Sequence, residues 1–431
     1  MEEHVHKHVD EDMLSVEEAS SIIMQYFKTL STISLPILDT LGYTLAENMY
    51  SSINIPPNAN SGMDGYAIIA NDLANYNESN PVTLKVIGTV PAGSVPQVEV
   101  SNGTAVRIMT GASIPNGATA VVPFEETDET ERIASEIPLD EITINTKISD
   151  GANIRAAAED VKIGDLILES GITIRQQEIA VLASLGLAET KIVRKPIVGV
   201  ISTGDELIEL GNELSHSKIY DSNSYGVCAA IQAAGGVAKR VGIARDTFED
   251  LESAINECFD CDMIITSAGV SKGDYDFVKE VLTQNGEMNF WSVRMRPAKP
   301  LAFGLINIAK KNVPLIGLPG NPVSALVAFE MFGRPAILKM RGKKRLTRPT
   351  ISGKLNGTIN NFDGRRVYAR VIIEESEGAY IATPTGPQGS NILTSLSKSN
   401  GLAICPEDET KKQSGDIVNI IMTNWNEEVN L

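Results

Sequence analysis

Between Pro196 and Lys339 the chain carries three short runs of apolar and β-branched residues, Ile197–Ile201, Met263–Thr266 and Val313–Leu318. Each run leads into a loop bearing Gly, Ser or Asp, and segments of helical periodicity lie between or after them at Asn223–Ala234, Phe248–Glu257, Tyr275–Thr283 and Pro322–Phe332. Apolar runs too short for a helix, alternating with amphipathic segments, specify a largely parallel sheet covered by helices on both faces. Such a sheet confines a ligand to the loops beyond the carboxyl ends of its strands. Ligand-contacting residues are therefore expected in a few short stretches.

The flanks read differently. Ser15-Val16-Glu17-Glu18 is a capping box, and Ile22, Ile23, Tyr26, Phe27 and Leu30 follow at helical spacing. Residues 51–145 hold short alternating runs, Thr83–Ile87, Ala105–Met109, Ala120–Pro123 and Ile142–Asn145, separated by Gly, Pro and Asn clusters, as in a β-rich domain. Helical character returns around Arg175–Leu185, and strands and turns fill the chain from Pro349 to about Met422. The expected fold class is multidomain α/β and β: a central three-layer α/β/α domain, a flanking β-rich domain, a helical region and a small C-terminal β-barrel. At 431 residues the chain has room for about three domains.

Charge separates the possible ligands. The chain carries a net −18, which disfavours a phosphate backbone and hence nucleic acid as partner. From Met288 to Arg348, however, twelve Lys or Arg face a single acid, Glu330. A basic block inside an acidic chain suits a local anion site. Arg341–Arg348 reads as a solvated face, whereas Arg294, Arg296 and Lys299 lie among prolines and apolar residues, where a charge needs a partner. Residues 1–13 lack the apolar stretch of a secretory signal, and the most membrane-like window, Val313–Phe332, is interrupted by three prolines and two glycines. Four cysteines suit a reducing compartment, so a cytoplasmic protein without membrane spans is expected. Cys258 and Cys261 read as core residues near a helix end, one of them buried, and His4, His6 and His8 as an exposed terminus.

Four loops fall in the ligand-binding position: Thr203-Gly204-Asp205-Glu206, Asp221-Ser222-Asn223-Ser224, Ser267 to Asp276, and Leu318-Pro319-Gly320-Asn321-Pro322. Glycine loops that open helices present backbone N–H groups suited to phosphate, and the hydroxyls of Ser267 and Ser271 add donors. Glu206, Asp274 and Asp276 would repel phosphate unless a divalent cation stands between them. A Mg²⁺-bound phosphoryl compound reconciles both observations. Neither a Walker A pattern nor Gly-x-Gly-x-x-Gly occurs, and the histidines are too few for a Ser/His/Asp triad.

Five motifs taken together resemble the MoeA family of molybdopterin molybdenumtransferases from about Ser15 to the end. They are Met63-Asp64-Gly65-Tyr66-Ala67, Thr203-Gly204-Asp205-Glu206-Leu207, Gly269-Val270-Ser271 with Gly273-Asp274-Tyr275-Asp276, Lys299-Pro300, and Leu318-Pro319-Gly320-Asn321-Pro322-Val323-Ser324. The resemblance implies an elongated homodimer of four-part subunits, with parts at 1–50 plus 146–195, 51–145, 196–344 and 345–431. It implies insertion of molybdate into adenylylated molybdopterin with release of AMP, aided by Mg²⁺ or another divalent cation, in a site shared between subunits. Carried over by motif, Asp64 and Thr110 come from the partner subunit. Glu206, Asp246 and Asp276 hold the cation or orient the attacking oxygen, and Asp160 matches a further functional position. Ser271, Asp274, Lys279, Asn321 and Ser324 join Thr110 as substrate contacts. Arg296, Lys299, Arg370 and Ser390 hold the oxyanion, in keeping with the basic block. A molybdopterin adenylyltransferase and downstream molybdoenzymes are the implied protein partners.

The chain departs from the family at four places. Ala158, Ala268 and Ala298 replace glycines, and Lys272 replaces an apolar residue. An alanine where φ is positive costs on the order of 1 kcal/mol. Two other functions remain open at this level: a molybdopterin adenylyltransferase, against which the long β-rich flanks argue, and a binding scaffold without turnover, against which Asp64, Glu206, Asp276, Arg296 and Lys299 argue. Molybdate and tungstate, alike in size and charge, are not separated.

Overall fold

The computed structural model describes residues 13–267 and 286–424. The chain forms two compact units, one of Asn48–Ser170 with Ala180–Leu187 and the other of the remaining residues.

The smaller unit is built on a five-stranded sheet in the order Ala120–Pro123, Gly65–Ile68, Thr104–Ile108, Val82–Val90, Glu141–Ile144. Only the pairing of Val82–Val90 with Thr104–Ile108 is parallel. Successive strand residues point to opposite faces, and here both faces are covered. Tyr66 and Ile68 pack with Leu84, Ile142 and Ile144, while Ala67 packs with Val106, Ile108 and Val121. That is why Gly65–Ile68 is buried throughout.

The larger unit contains a six-stranded sheet in the order Val237–Ala244, Ile197–Thr203, Met263–Ser267, Lys311–Leu318, Pro300–Ile308, Gly286–Ser292. The first four strands are parallel, and the last two join through antiparallel pairings. On one face Val198, Val200, Ile265 and Leu318 meet Val227 and Ile231 of the helix Ser222–Ala233 and Val323 and Phe332 beyond it. On the other, Ile201, Ile264 and Leu315 meet Leu251, Ile255 and Cys258 of the helix Phe248–Glu257 and its end. Each such side chain contributes about 1.5–3 kcal/mol on burial, so the two faces fix three layers. Trp291 is partly buried and stacks on Phe303 with ring centroids 5.9 Å apart.

The capping box forms as expected. Ser15 Oγ accepts the Glu18 N–H at 3.1 Å, and Glu18 Oε2 accepts the Ser15 N–H at 2.8 Å, opening the helix Val16–Met24. The single helix expected over Pro322–Phe332 is corrected: an α-helix Pro322–Ala328 passes through a π-turn, Phe329–Gly333, into a second α-helix, Arg334–Met340. Pro335 has no N–H to continue the ladder, and its ring crowds the carbonyl four residues back, so the register widens there.

The C-terminal strands close on themselves in the order Arg366–Ser376, Ala379–Pro384, Thr350–Leu355, Ile417–Met422, Gly401–Cys405 and back to Arg366–Ser376. This five-stranded barrel leaves no open edge among its members, and Val371, Ile373, Ala382, Ala403 and Ile420 fill it.

Parts of the basic block are not a solvated face. Arg341 is buried, donating from Nη1 to the Ala234 carbonyl at 2.8 Å and from Nη2 to the Gly42 carbonyl at 2.5 Å. Arg348 pairs with Glu330 at 2.7 Å. Both Cys258 and Cys261, not one of them, are buried.

Two of the alanines that replace family glycines adopt the conformation glycine would take: Ala158 has φ 59° and Ala298 φ 75°. A left-handed alanine costs about 1–2 kcal/mol, partly offset by the extra unfolded-state freedom of glycine, about 0.5–1 kcal/mol. Ala158→Gly and Ala298→Gly are each expected to be neutral to stabilising by up to about 1 kcal/mol in urea denaturation. A loss of stability in both would contradict the strain argument.

Candidate functional site

The four parallel strands of the larger unit end at Thr203, Ala244, Ser267 and Leu318. A cleft of about 660 Å³ opens beside these ends, lined by Thr203, Glu206, Asn223, Ser267, Asn321 and Asn391 among others. It lies where the sheet topology requires a ligand to bind.

Glu206 enters the cleft through a tight turn. The Leu207 N–H donates to the Gly204 carbonyl at 3.2 Å, and the Ile219 N–H donates to the Glu206 carbonyl at 2.9 Å. Gly204 has φ 142°, and a Cβ there would stand 2.5 Å from Glu206 Oε2. The glycine therefore serves both the backbone conformation and the space in which the carboxylate lies. Asp246 follows the neighbouring strand, and its N–H reaches Asp205 Oδ1 at 3.5 Å. Asp205, to which no motif assigns a role, thus joins the Glu206 and Asp246 loops. Among the described residues no three His, Cys, Asp or Glu side chains form a ready cation cluster.

Beneath the cleft, Asp221 is fully buried and accepts from Ser202 Oγ at 2.8 Å, the Ser224 N–H at 3.0 Å and Arg240 Nη2 at 3.0 Å. Arg240 also grips both Glu209 oxygens, at 2.9 and 2.8 Å. A buried carboxylate needs such partners. In return it caps the helix Ser222–Ala233 and anchors the loop that follows Glu206.

In the smaller unit, Asp64 and Thr110 come together. Asp64 Oδ1 accepts the Thr110 N–H at 2.6 Å and the Thr110 hydroxyl at 2.8 Å. These two bonds hold the Asp64 carboxyl below the usual carboxylate range. Arg107, two residues before the turn, anchors the strand by pairing with Glu129 at 2.8 Å. Thr110→Ala removes the hydroxyl donor and is expected to move the Asp64 titration upward in an NMR pH series. Because the folded value is depressed, this bond's stabilisation is present above the unfolded carboxylate's pKa and lost as pH falls through the folded one. An unmoved Asp64 titration would count against the pairing. Asp160 is exposed, and its N–H donates to the Ile55 carbonyl at 3.0 Å.

The expected oxyanion ligands have unlike surroundings. Arg296 and Arg370 line one cavity of about 310 Å³ beside the barrel. Arg296 is partly exposed, 3.6 Å from Asp363 and 5.9 Å from the Phe362 ring. Arg370 is buried and donates to Ser395 Oγ at 3.0 Å and to the carbonyls of Gln388 at 3.1 Å and Gly389 at 2.9 Å. Burial pushes its pKa down, to about 10, so it stays cationic at neutral pH. Those carbonyls make Arg370 the organiser of the 387–389 turn, next to Ser390, whose carbonyl accepts the Val323 N–H at 3.1 Å. Lys299 precedes Pro300 at the cleft, with its carbonyl accepting the Val293 N–H at 2.7 Å. Ser324 is buried in the helix Pro322–Ala328. Asn321 opens that helix without a side-chain cap bond.

Ser271, Lys272, Asp274, Asp276 and Lys279, with Ala268 and the N-terminal histidines, lie outside the described residues. Asn223 falls in one of the four loops expected at the ligand but has no role of its own in the sequence, and Tyr220 and Asn391 are cleft residues that no motif marks. The Asp–Ser–Asn–Ser stretch that caps a helix was the available signal for Asn223. Asn391 lies in a turn with no periodic signature.

Comparison with known proteins covers nearly the whole chain. Residues 14–186 match the MoeA N-terminal region (domains I and II), 199–339 a probable molybdopterin-binding domain, and 353–422 the MoeA C-terminal region (domain IV). Molybdopterin molybdenumtransferase 2 of Mycobacterium tuberculosis is 34% identical over 410 residues, covering 94% of this chain and 98% of that protein. The Haemophilus influenzae molybdopterin molybdenumtransferase is 35% identical over 416 residues, covering 95% and 98%. A crystal structure of a molybdopterin biosynthesis MoeA protein from Pyrococcus horikoshii superposes with a TM-score of 0.81 at 31% identity, covering 96% of this chain and all of that one. The matched regions include the Asp64 strand, the Glu206 cleft and the Arg370 barrel, so the chain belongs to the MoeA family of molybdopterin molybdenumtransferases.

Proposed function

We propose that the protein inserts molybdate into the dithiolene of adenylylated molybdopterin and releases AMP, with a divalent cation, as a cytoplasmic homodimer whose sites are shared between subunits. The observation that carries this reading is the cleft at the ends of the parallel strands, which gathers Glu206, Ser267, Asn223 and Asn321 in the region matched to a molybdopterin-binding domain.

The residues fit a hard cation. Glu206 and Asp246 lie on loops that meet where the Asp246 N–H reaches Asp205 Oδ1 and would supply carboxylate oxygens, with Gly204 leaving room for the Glu206 carboxylate. Asp276 is the third ligand in this reading. A bound divalent cation would neutralise charge at the substrate pyrophosphate. The protein's own groups then bind and orient. Hydroxyl and amide groups at the strand ends hold the phosphate and the pterin, and Arg296 and Lys299 hold molybdate near the bond to be broken. Arg370 shapes the turn that carries Ser390. Asp64, kept ionised by Thr110, acts on the substrate from the partner subunit in this reading, and Asp160 is a further functional position.

The test is reconstitution of a molybdenum-free molybdoenzyme. Activity is expected only when this protein, adenylylated molybdopterin, Mg²⁺ and molybdate are all present. Reconstitution that proceeds equally well without the protein, at the same molybdate concentration, would overturn the proposal.

A further inference from the structure

Among the described residues, Asn223 donates from one side chain both to the end of one parallel strand and to the loop after another. It follows the buried cap Asp221 by two residues at the start of the helix Ser222–Ala233. Its Nδ2 donates to Ser267 Oγ at 2.8 Å and to the Gly320 carbonyl at 2.7 Å. Ser267 ends the strand Met263–Ser267, and Gly320 lies in the loop after Lys311–Leu318. A primary amide has two protons on nitrogen, so these bonds use both and orient the group, with Oδ1 left as acceptor.

The mount is rigid. Asp221 is held by Ser202, Ser224 and Arg240, so the first turn of the helix has little freedom. Ser267 Oγ, accepting from Asn223, retains its own proton for a further acceptor. Thr203 Oγ1 donates to the Ser267 carbonyl at 3.4 Å, which adds the end of a third strand to the same group.

We propose that Asn223 is a positioning residue for the transfer reaction: it ties the Ser267 end of its strand to the Gly320 loop and turns the Ser267 hydroxyl into the cleft as a donor to the phosphoryl group of the substrate. The inference rests on the proposed function above. A misplacement of about 1 Å at a site that works by positioning can cost on the order of a hundredfold. Loss of one partly buried bridging hydrogen bond costs up to about tenfold.

The test uses the full-length protein with Asn223→Ala and the isosteric Asn223→Asp, which keeps shape but cannot donate, together with Ser267→Ala and Ser267→Thr. Hydrogen exchange on wild type and Asn223→Ala reads the lock without reference to the reaction, and faster exchange is expected at the Ser267 and Gly320 peptides. In single-turnover AMP release at saturating substrate, Asn223→Ala and Asn223→Asp are expected to slow the step by roughly tenfold to a hundredfold. Ser267→Thr should restore most of what Ser267→Ala loses. The double variant Asn223→Ala/Ser267→Ala should be no slower than the worse single, because both act through one hydroxyl. Faster exchange with unchanged turnover, or additive losses in the double variant, would overturn the proposal. A wild-type protein that releases no AMP would instead overturn the functional reading, while the exchange result would still report on the lock.

Discussion

Glu206→Gln is expected to lower turnover by about a hundredfold or more while leaving the fold unchanged. The reason is local. The turn that carries Glu206 is fixed by backbone bonds, from Leu207 to Gly204 and from Ile219 to Glu206, and the exposed side chain takes no part in them. Glutamine keeps length and shape but removes the charge that a cation would meet, and cation-assisted phosphoryl chemistry depends on that charge. The loss should appear in kcat, with the denaturation midpoint within about 0.5 kcal/mol of wild type, as for an exposed substitution. Gly204→Ala should be at least as damaging, because a Cβ 2.5 Å from Glu206 Oε2 displaces the carboxylate and φ 142° strains any other residue. Turnover of Glu206→Gln within threefold of wild type would remove Glu206 from the chemistry.

The largest effect on stability is expected from Gly65→Ala. Gly65 pairs with Ile108 on one side and Pro123 on the other, at the heart of the smaller unit's sheet. A Cβ there would lie 1.9 Å from the Val122 carbonyl oxygen and 3.0 Å from Pro123 Cα. Those are backbone atoms of a paired strand, so relief requires the sheet itself to part. A cost of about 3 kcal/mol or more follows, at the upper end for overpacking. The same movement would carry away the Asp64 carbonyl, which accepts the Phe124 N–H at 3.1 Å, and with it the Asp64–Thr110 pair. Gly88→Ala is the control, since its nearest neighbour is a Val98 methyl at 3.5 Å. Urea denaturation should separate the two variants clearly. Equal stability for both would show that the close approach at Gly65 relaxes without cost.

Where the sequence was legible, a local rule sufficed. The capping box at Ser15, the apolar runs that became parallel strands and the alternation within the β-rich unit each rest on neighbours a few residues apart. The two antiparallel strands, Gly286–Ser292 and Pro300–Ile308, went unread because the prolines and cations between them break the periodic pattern. Only the existing sheet edge makes strands of them. The π-turn at Phe329–Gly333 comes from a proline a residue or two beyond an otherwise regular apolar stripe. Charge counting pointed to Arg296 and the family resemblance to Arg370, without showing that they differ. One is partly exposed beside Asp363, and the other is buried among carbonyls that no spacing rule relates to it. The same holds for Asn223, whose partners lie 44 and 97 residues away. Motifs marked the loops of the site; the bonds joining them depend on tertiary placement.

The most direct test of the function is to count molybdenum and AMP in one reaction. Purified protein would be given adenylylated molybdopterin and Mg²⁺, with and without molybdate, and the AMP released compared with the molybdenum bound to the pterin. Coupled insertion predicts about one molybdenum per AMP, AMP release that depends on molybdate, and loss of both in Glu206→Gln. AMP released freely without molybdate, or molybdenum-free pterin as the product, would contradict it.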